Sequence, residues 1–180
     1  MITITPIHIR EHYTLMSGMM KGLHESELDY FHQTARWEHI AGDYMQHVIS
    51  MQESNNGSCL LASWNGEPAG FIFGYTEEPD ESRIEAYTGD TLYVSDGYVA
   101  PEFRRLGIYR ALNAELEKIY IAQGIRRMVR YTLSNNYRMQ QFLSSQQYEP
   151  VRIVYEKWLT PDAKDPVKLF PEGWRPNISQ

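Results

Sequence analysis

At 180 residues and 42% hydrophobic, the chain is long enough to bury the core of one ordinary domain. Its 23 acidic side chains outnumber 17 Lys and Arg, and the formal net charge of −6 argues against a role coating nucleic acid. No apolar run approaches the roughly 18 residues of a membrane span, and the single cysteine, Cys59, leaves no intrachain disulfide and suits a reducing, cytoplasmic setting.

The start, Met1-Ile2-Thr3-Ile4-Thr5-Pro6, lacks the basic and long apolar regions of a secretion signal. Ile2, Ile4, Ile7 and Ile9 predict a first strand, which Pro6 confines to a sheet edge or a bulge. Helical spacing follows over 12–22 and again over 26–52. Ser26 between Glu25 and Glu27 is read as a helix start, and Gly42 as a break that leaves the second stretch either one helix or two. After the loop 54–58, two apolar runs, 59–64 and 68–75, flank Asn65-Gly66 and predict a β-hairpin. Cys59 opens the first of these runs, so it reads as a buried structural thiol.

A polar, acidic stretch over 76–89 carries Glu77, Glu78, Asp80, Glu81 and Glu85. It reads either as a solvated loop or as a surface attracting a cationic amine. A strand over 91–99 and a helix over 107–123 follow, with Gly124 ending the helix. The spacing then predicts a strand over 127–133, a helix over 136–145 and a long final strand over 148–159. Residues 1–160 read as a single domain. The tail 161–180, with Pro161, Pro166, Pro171 and Pro176 but also Leu169, Phe170 and Trp174, is expected to pack on the domain or on a partner. Strands alternating with helices predict an α/β fold. The six histidines (His8, His12, His24, His32, His39, His47) follow no ligand motif, so no metal site is expected.

The junction after the fourth strand carries the chemistry. Arg104-Arg105-Leu106-Gly107-Ile108-Tyr109-Arg110 opens a helix directly after a strand and a Pro101 turn. Open N–H groups and the positive end of the helix dipole converge there, which makes a pyrophosphate cradle. Gly107 lets an oxygen approach the backbone, and the arginines add charge. The lysine and further glycines of a Walker loop or a dinucleotide fingerprint are missing. Arg126, Arg127, Arg130 and Arg138 extend the basic region, either toward a polyanionic ligand or as solvated flanks of a strand.

Val99, Pro101, Phe103, Arg104, Gly107 and Ile108 together resemble the GNAT superfamily of acyl-CoA-dependent N-acetyltransferases. The pattern there is Val-x-Pro, then Arg/Gln-x-x-Gly-x-Gly/Ala and a helix. Asn136 before a helix and Tyr148 after it give a second match, and the resemblance covers roughly 59–159. It implies a three-layer α/β/α fold around a mixed, mostly antiparallel sheet. It also implies acetyl-CoA as co-substrate, a primary amine of a small molecule or peptide as acceptor, and direct attack in a ternary complex. Tyr98 and Val99 would hold the pantetheine arm and the oxyanion, with Gly97 permitting a bulge in the strand. Arg104, Arg105, Leu106, Gly107, Ile108, Tyr109 and Arg110 would hold the pyrophosphate. Asn136 would bind the pantetheine or simply cap its helix. Many relatives are dimers, which would let the tail cap or swap onto a partner.

Asp96 and Tyr93 are the candidate catalytic residues. Asp96 reads either as the base for the attacking amine or as a strand carboxylate bonded to its surroundings. Tyr93 reads as a base or as a wall, sharing a strand face with Ser95. Tyr30, Phe31, Trp37 and Tyr44 would line the core or the acceptor pocket. The chain departs from the family pattern at Tyr109, where Gly or Ala is usual, and at Leu143, where many relatives carry a proton-donating tyrosine. Tyr109, Tyr131 and Tyr137 are the available substitutes. These departures keep open a non-catalytic acyl-CoA-binding regulatory module, or an interaction scaffold.

Overall fold

The computed structural model describes residues 1–31, 33–79, 86–87 and 89–159. Five strands, β1 (Ile2–Ile7), β2 (Ser58–Trp64), β3 (Glu67–Glu77), β4 (Thr91–Val99) and β5 (Arg127–Val129), form one sheet in the order β1-β2-β3-β4-β5. The first three pairings are antiparallel and the β4–β5 pairing is parallel, so the sheet is mixed and mostly antiparallel. Pro6 sits in β1 at the sheet edge, where its missing N–H costs no ladder bond. Asn65 and Gly66 both take positive φ, 52° and 90°, the tight hairpin turn that Asn-Gly favours.

Alternation along the strands sorts the two faces. Leu60, Ala62, Ile72, Leu92 and Val94 are buried with Ile108, Leu112, Leu116 and Tyr120 of helix α3 (Ile108–Ala122) in one cluster. Cys59, Phe71 and Phe73 are buried on the opposite face. Toward that face lie helices α1 (Tyr13–Glu27) and α2 (Trp37–Ser54), which bury Met16, Met19, Met20, Met45, Val48 and Ile49. The three-layer α/β/α architecture follows. At the far end of α3, the Tyr120 hydroxyl donates to the carbonyls of Asn56 at 2.6 Å and Gly74 at 3.0 Å, tying the helix to β3 and to the loop before β2.

Several boundaries differ from the sequence reading. α1 runs on through Glu27, so Ser26 lies in its last turn rather than at a helix start. α2 begins at Trp37 and contains Gly42. A mid-helix glycine costs about 1 kcal/mol against alanine, and the buried Met45, Val48 and Ile49 face offsets it. β5 stops at Val129 instead of reaching 133, and no strand forms over 148–159. There Val151, Ile153, Val154 and Tyr155 are all largely exposed, so alternation buries neither face. Asp80, Glu81 and Glu85, His32 and the tail 161–180 lie outside the described residues.

The chain divides into two compact units. One comprises Met1–Leu23 and Ala41–Tyr131, and holds the whole sheet. The other comprises His24–Ile40 and the described residues from Thr132 onward. In the second, helix α4 (Tyr137–Ser145) is capped by Asn136, whose side chain accepts from Met139 N at 3.1 Å. Asn135 Nδ2 donates to the Tyr30 carbonyl at 2.6 Å, and the His24 and Trp37 rings lie 5.7 Å apart.

Candidate active site

β4 is paired on both sides only at its start. Its ladder with β5 ends at Tyr93 opposite Val129, while β4 continues to Val99 with β3 alone. The orientation of the remaining amides can be derived. Ala100 N donates to Ala69 O at 2.9 Å, on the β3 side. Backbone groups alternate along a strand, so Tyr98 shares that side, and Gly97 and Val99 face away from it. The Val99 carbonyl agrees, because Arg104 Nε donates to it at 3.0 Å. Of the two residues expected to offer an open amide, Val99 has it and Tyr98 does not. Gly97 supplies the other.

Beyond Val99, a 3-10 turn (Pro101–Phe103) leads into the cradle. Arg105 and Gly107 both adopt left-handed backbone, φ 66° and 81°. Gly107 is the N-cap residue of α3, and no side chain caps the helix. The first bond at this end runs from Ala111 N to Gly107 O at 3.1 Å, so the amides before it point out of the helix. A Cβ built on Gly107 would meet nothing within 4 Å, which leaves room for a ligand. Its φ nonetheless makes any side chain there strained. Arg105, Leu106 and Arg110 are exposed around this opening, whereas the Ile108 side chain is core and only its amide faces the site. Arg104 is committed to the turn, with its guanidinium 5.9 Å from the centre of the Tyr98 ring. Asn136, as the cap of α4, belongs to the other unit.

At the other end of this open edge lies the carboxylate. The β3–β4 register jumps from Phe73 opposite Asp96 to Gly74 opposite Val94, leaving Ser95 as the extra residue. The bulge is therefore at Ser95 and not at Gly97, which pairs regularly with Ile72. Its effect is specific. Strict alternation would put Tyr93 and Asp96 on opposite faces, but the extra residue brings both to the Phe73–Tyr75 face. Asp96 is 5% exposed, and Tyr44 Oη of α2 and Ser95 Oγ donate to its two oxygens, the latter at 2.6 Å. Burial, and then the Asp96 charge, pushes the Cys59 thiol far up, so that thiol is inert.

Tyr75, Tyr93 and Tyr131 continue this face as a run of edge-to-face rings, 5.4 Å and 5.6 Å between centres. Burial, and next the negative charge of Glu77 and Asp96, pushes Tyr75 up to about 12. Tyr93 is raised further by burial, then by Tyr75, Asp96 and Glu77. Both remain neutral phenols near pH 7, which suits a wall and hydrogen-bond donor better than a base. On the α3 face, Tyr109 reaches back over β4. A Cβ on Gly97 would stand 2.5 Å from the Tyr109 hydroxyl, so any larger residue at 97 would displace the end of the Tyr109 side chain. Arg130 Nη1 donates to that hydroxyl at 2.9 Å.

In the sequence Tyr44 reads only as an aromatic of the core or the acceptor pocket, and Tyr109 has no evident partner. The Tyr44–Asp96 contact spans 52 residues and leaves no local trace. The Tyr109–Arg130 pair had one signal, the bulky residue standing where the family pattern keeps a small one.

A sequence model described as the acetyltransferase (GNAT) family matches residues 20–147. A search of curated proteins returns no match. Among solved structures, the chain is similar to the aminoglycoside N-acetyltransferase AAC(6')-Iy in complex with the bisubstrate analogue CoA-S-monomethyl-acetylneamine. That similarity is at TM-score 0.65 and 16% identity over 89% of this chain and 99% of the other. An integron cassette protein from the mobile metagenome of V. cholerae matches with TM-score 0.63 and 20% identity, over 89% and 93%. The aminoglycoside acetyltransferase meta-AAC0020, from an uncultured soil metagenomic sample, gives 0.59 and 14%, over 88% and 95%. At these identities the structural likeness speaks for the fold.

Proposed function

The chain belongs to the GNAT acetyltransferase family, and from that premise we propose that it moves an acetyl group from acetyl-CoA, as co-substrate, to a primary amine of a small molecule or peptide. One observation carries the reading. A single stretch, 93–110, sets a buried carboxylate and two open backbone amides along β4 and an uncapped helix end just beyond it.

Each part has work suited to it. The amides at the start of α3, with Arg105 and Arg110 beside them, suit the pyrophosphate. The Val99 and Gly97 N–H groups suit the pantetheine arm and the carbonyl oxygen on which charge develops. A preorganised donor of that kind contributes about 3 kcal/mol. Asp96, oriented by Tyr44 and Ser95, accepts the proton of the attacking amine. An ordinary lysine-type amine has a pKa near 10.4 and must lose a proton to attack. Tyr93 and Tyr131 form a wall on which a cationic acceptor can rest. No covalent enzyme intermediate is required, because the amine attacks the thioester directly and Cys59 is buried.

AAC(6')-Iy and meta-AAC0020 are described as aminoglycoside acetyltransferases, so amino sugars head the acceptor panel, followed by polyamines and lysine peptides. The test is calorimetric titration of acetyl-CoA and desulfo-CoA, followed by thiol release across that panel. Binding with release on one amine class is expected. Binding without release on any class would leave a non-catalytic acyl-CoA-binding module. No binding would remove the co-substrate from the reading.

A further inference from the structure

Direct acyl transfer leaves one proton to be assigned. The C–N bond forms, the C–S bond breaks, and the amine's proton passes to Asp96, while the sulfur leaves as a thiolate whose thiol has an ordinary pKa near 8.5. A donor at the sulfur would let it leave as neutral thiol. Leu143 carries no proton to give.

The open edge of β4 narrows the search. A ligand with its phosphates at the α3 N-terminus and its thioester within reach of an amine on Asp96 must pass Val99 and arrive at Gly97. Those are the two residues whose amides face away from β3. The Tyr109 hydroxyl stands directly over Gly97, at the distance where even a Cβ would collide. It comes from the first turn of α3, so the same helix end that suits the pyrophosphate also aims this group. Arg130 donates to its oxygen at 2.9 Å and lies 5.6 Å from the ring centre. A cation on the oxygen strengthens the hydroxyl as a proton donor, because it stabilises the phenolate left behind. After transfer, the guanidinium stands beside the phenolate oxygen, which recovers its proton from solvent. Tyr131, by contrast, is 67% exposed and belongs to the opposite, acceptor-facing wall.

We propose that Tyr109 is the catalytic acid that protonates the departing thiolate, with Arg130 as the positioning residue that holds its hydroxyl over Gly97. This rests on the acetyl-transfer reading above. The test compares CoA with desulfo-CoA by calorimetry in the wild type and in Tyr109→Phe. The wild type is expected to bind CoA several-fold tighter than desulfo-CoA, because only CoA offers a sulfur to the hydroxyl. Tyr109→Phe should bind desulfo-CoA normally and lose that preference. Its kcat should fall about a hundredfold with KM for acetyl-CoA little changed. Arg130→Met should lower kcat in the same direction without raising KM, and Arg130→Lys should recover part of it. An unchanged CoA preference in Tyr109→Phe would overturn the proposal. So would loss of desulfo-CoA binding in that variant, since Tyr109 would then be a wall of the binding site. A wild type that binds neither ligand would sink the acetyl-transfer reading itself.

Discussion

The two ends of β4 handle polarity in opposite ways. From Val99 to Arg110 the polar groups are backbone amides, held open by left-handed residues and an uncapped helix, while Arg105, Leu106 and Arg110 around them are exposed. From Tyr93 to Asp96 the polar group is a side chain, buried and met by two hydroxyls, and the backbone is distorted to place it. A site read by backbone tolerates most side-chain changes and fails where conformation fails. A site read by one carboxylate is sensitive to a single atom.

That contrast is sharpest at Asp96. Asp96→Asn keeps the shape but removes the proton acceptor. Turnover at neutral pH should fall by about a hundredfold or more, with partial recovery at high pH and unchanged acetyl-CoA affinity. A pH-independent ratio of mutant to wild type would remove Asp96 as base. Next in size, Gly107→Val should raise the dissociation constant of CoA by an order of magnitude or so, because a β-branched residue at φ 81° must rearrange the cradle. Unchanged binding would break the claim that backbone conformation reads the ligand. Arg105→Ala should cost only a few-fold in CoA affinity, and less at high salt, since its charge is exposed.

The smallest effect concerns stability. Tyr75 is held up to about 12 against an ordinary value near 10. The folded state therefore keeps its proton where the unfolded chain loses it. Stability is full below pH 10 and declines as pH rises from about 10 to about 12. Tyr93, raised for the same reasons, adds to the decline. Urea midpoints at pH 9 and pH 11 should show this loss in the wild type and a smaller one in Tyr75→Phe.

The same contrast explains what the sequence made legible. The cradle was readable because its requirements are local: a Pro101 turn, a glycine at the helix start, a strand before it. The Asn65-Gly66 turn and the Pro6 edge were readable for the same reason. The carboxylate end was not. Asp96 itself could be picked out, but its partner Tyr44 comes from a distant helix, and the bulge at Ser95 carries no composition signal. The permissiveness of glycine points to Gly97 as the bulge, whereas Gly97 instead leaves room for the end of Tyr109. The missing strand over 148–159 is a similar case: alternation was present, but a strand exists only where a neighbouring edge accepts it.

Cys59 pairs with Phe73 in the register that also seats Asp96, is 1% exposed, and has its thiol pushed far up by burial. A thiol-detecting reagent will therefore see coenzyme released by turnover and not the folded protein. In the absence of turnover, the slow reaction of the same reagent with Cys59 becomes a stopwatch for opening of the sheet, and any compound that binds the native state will slow it.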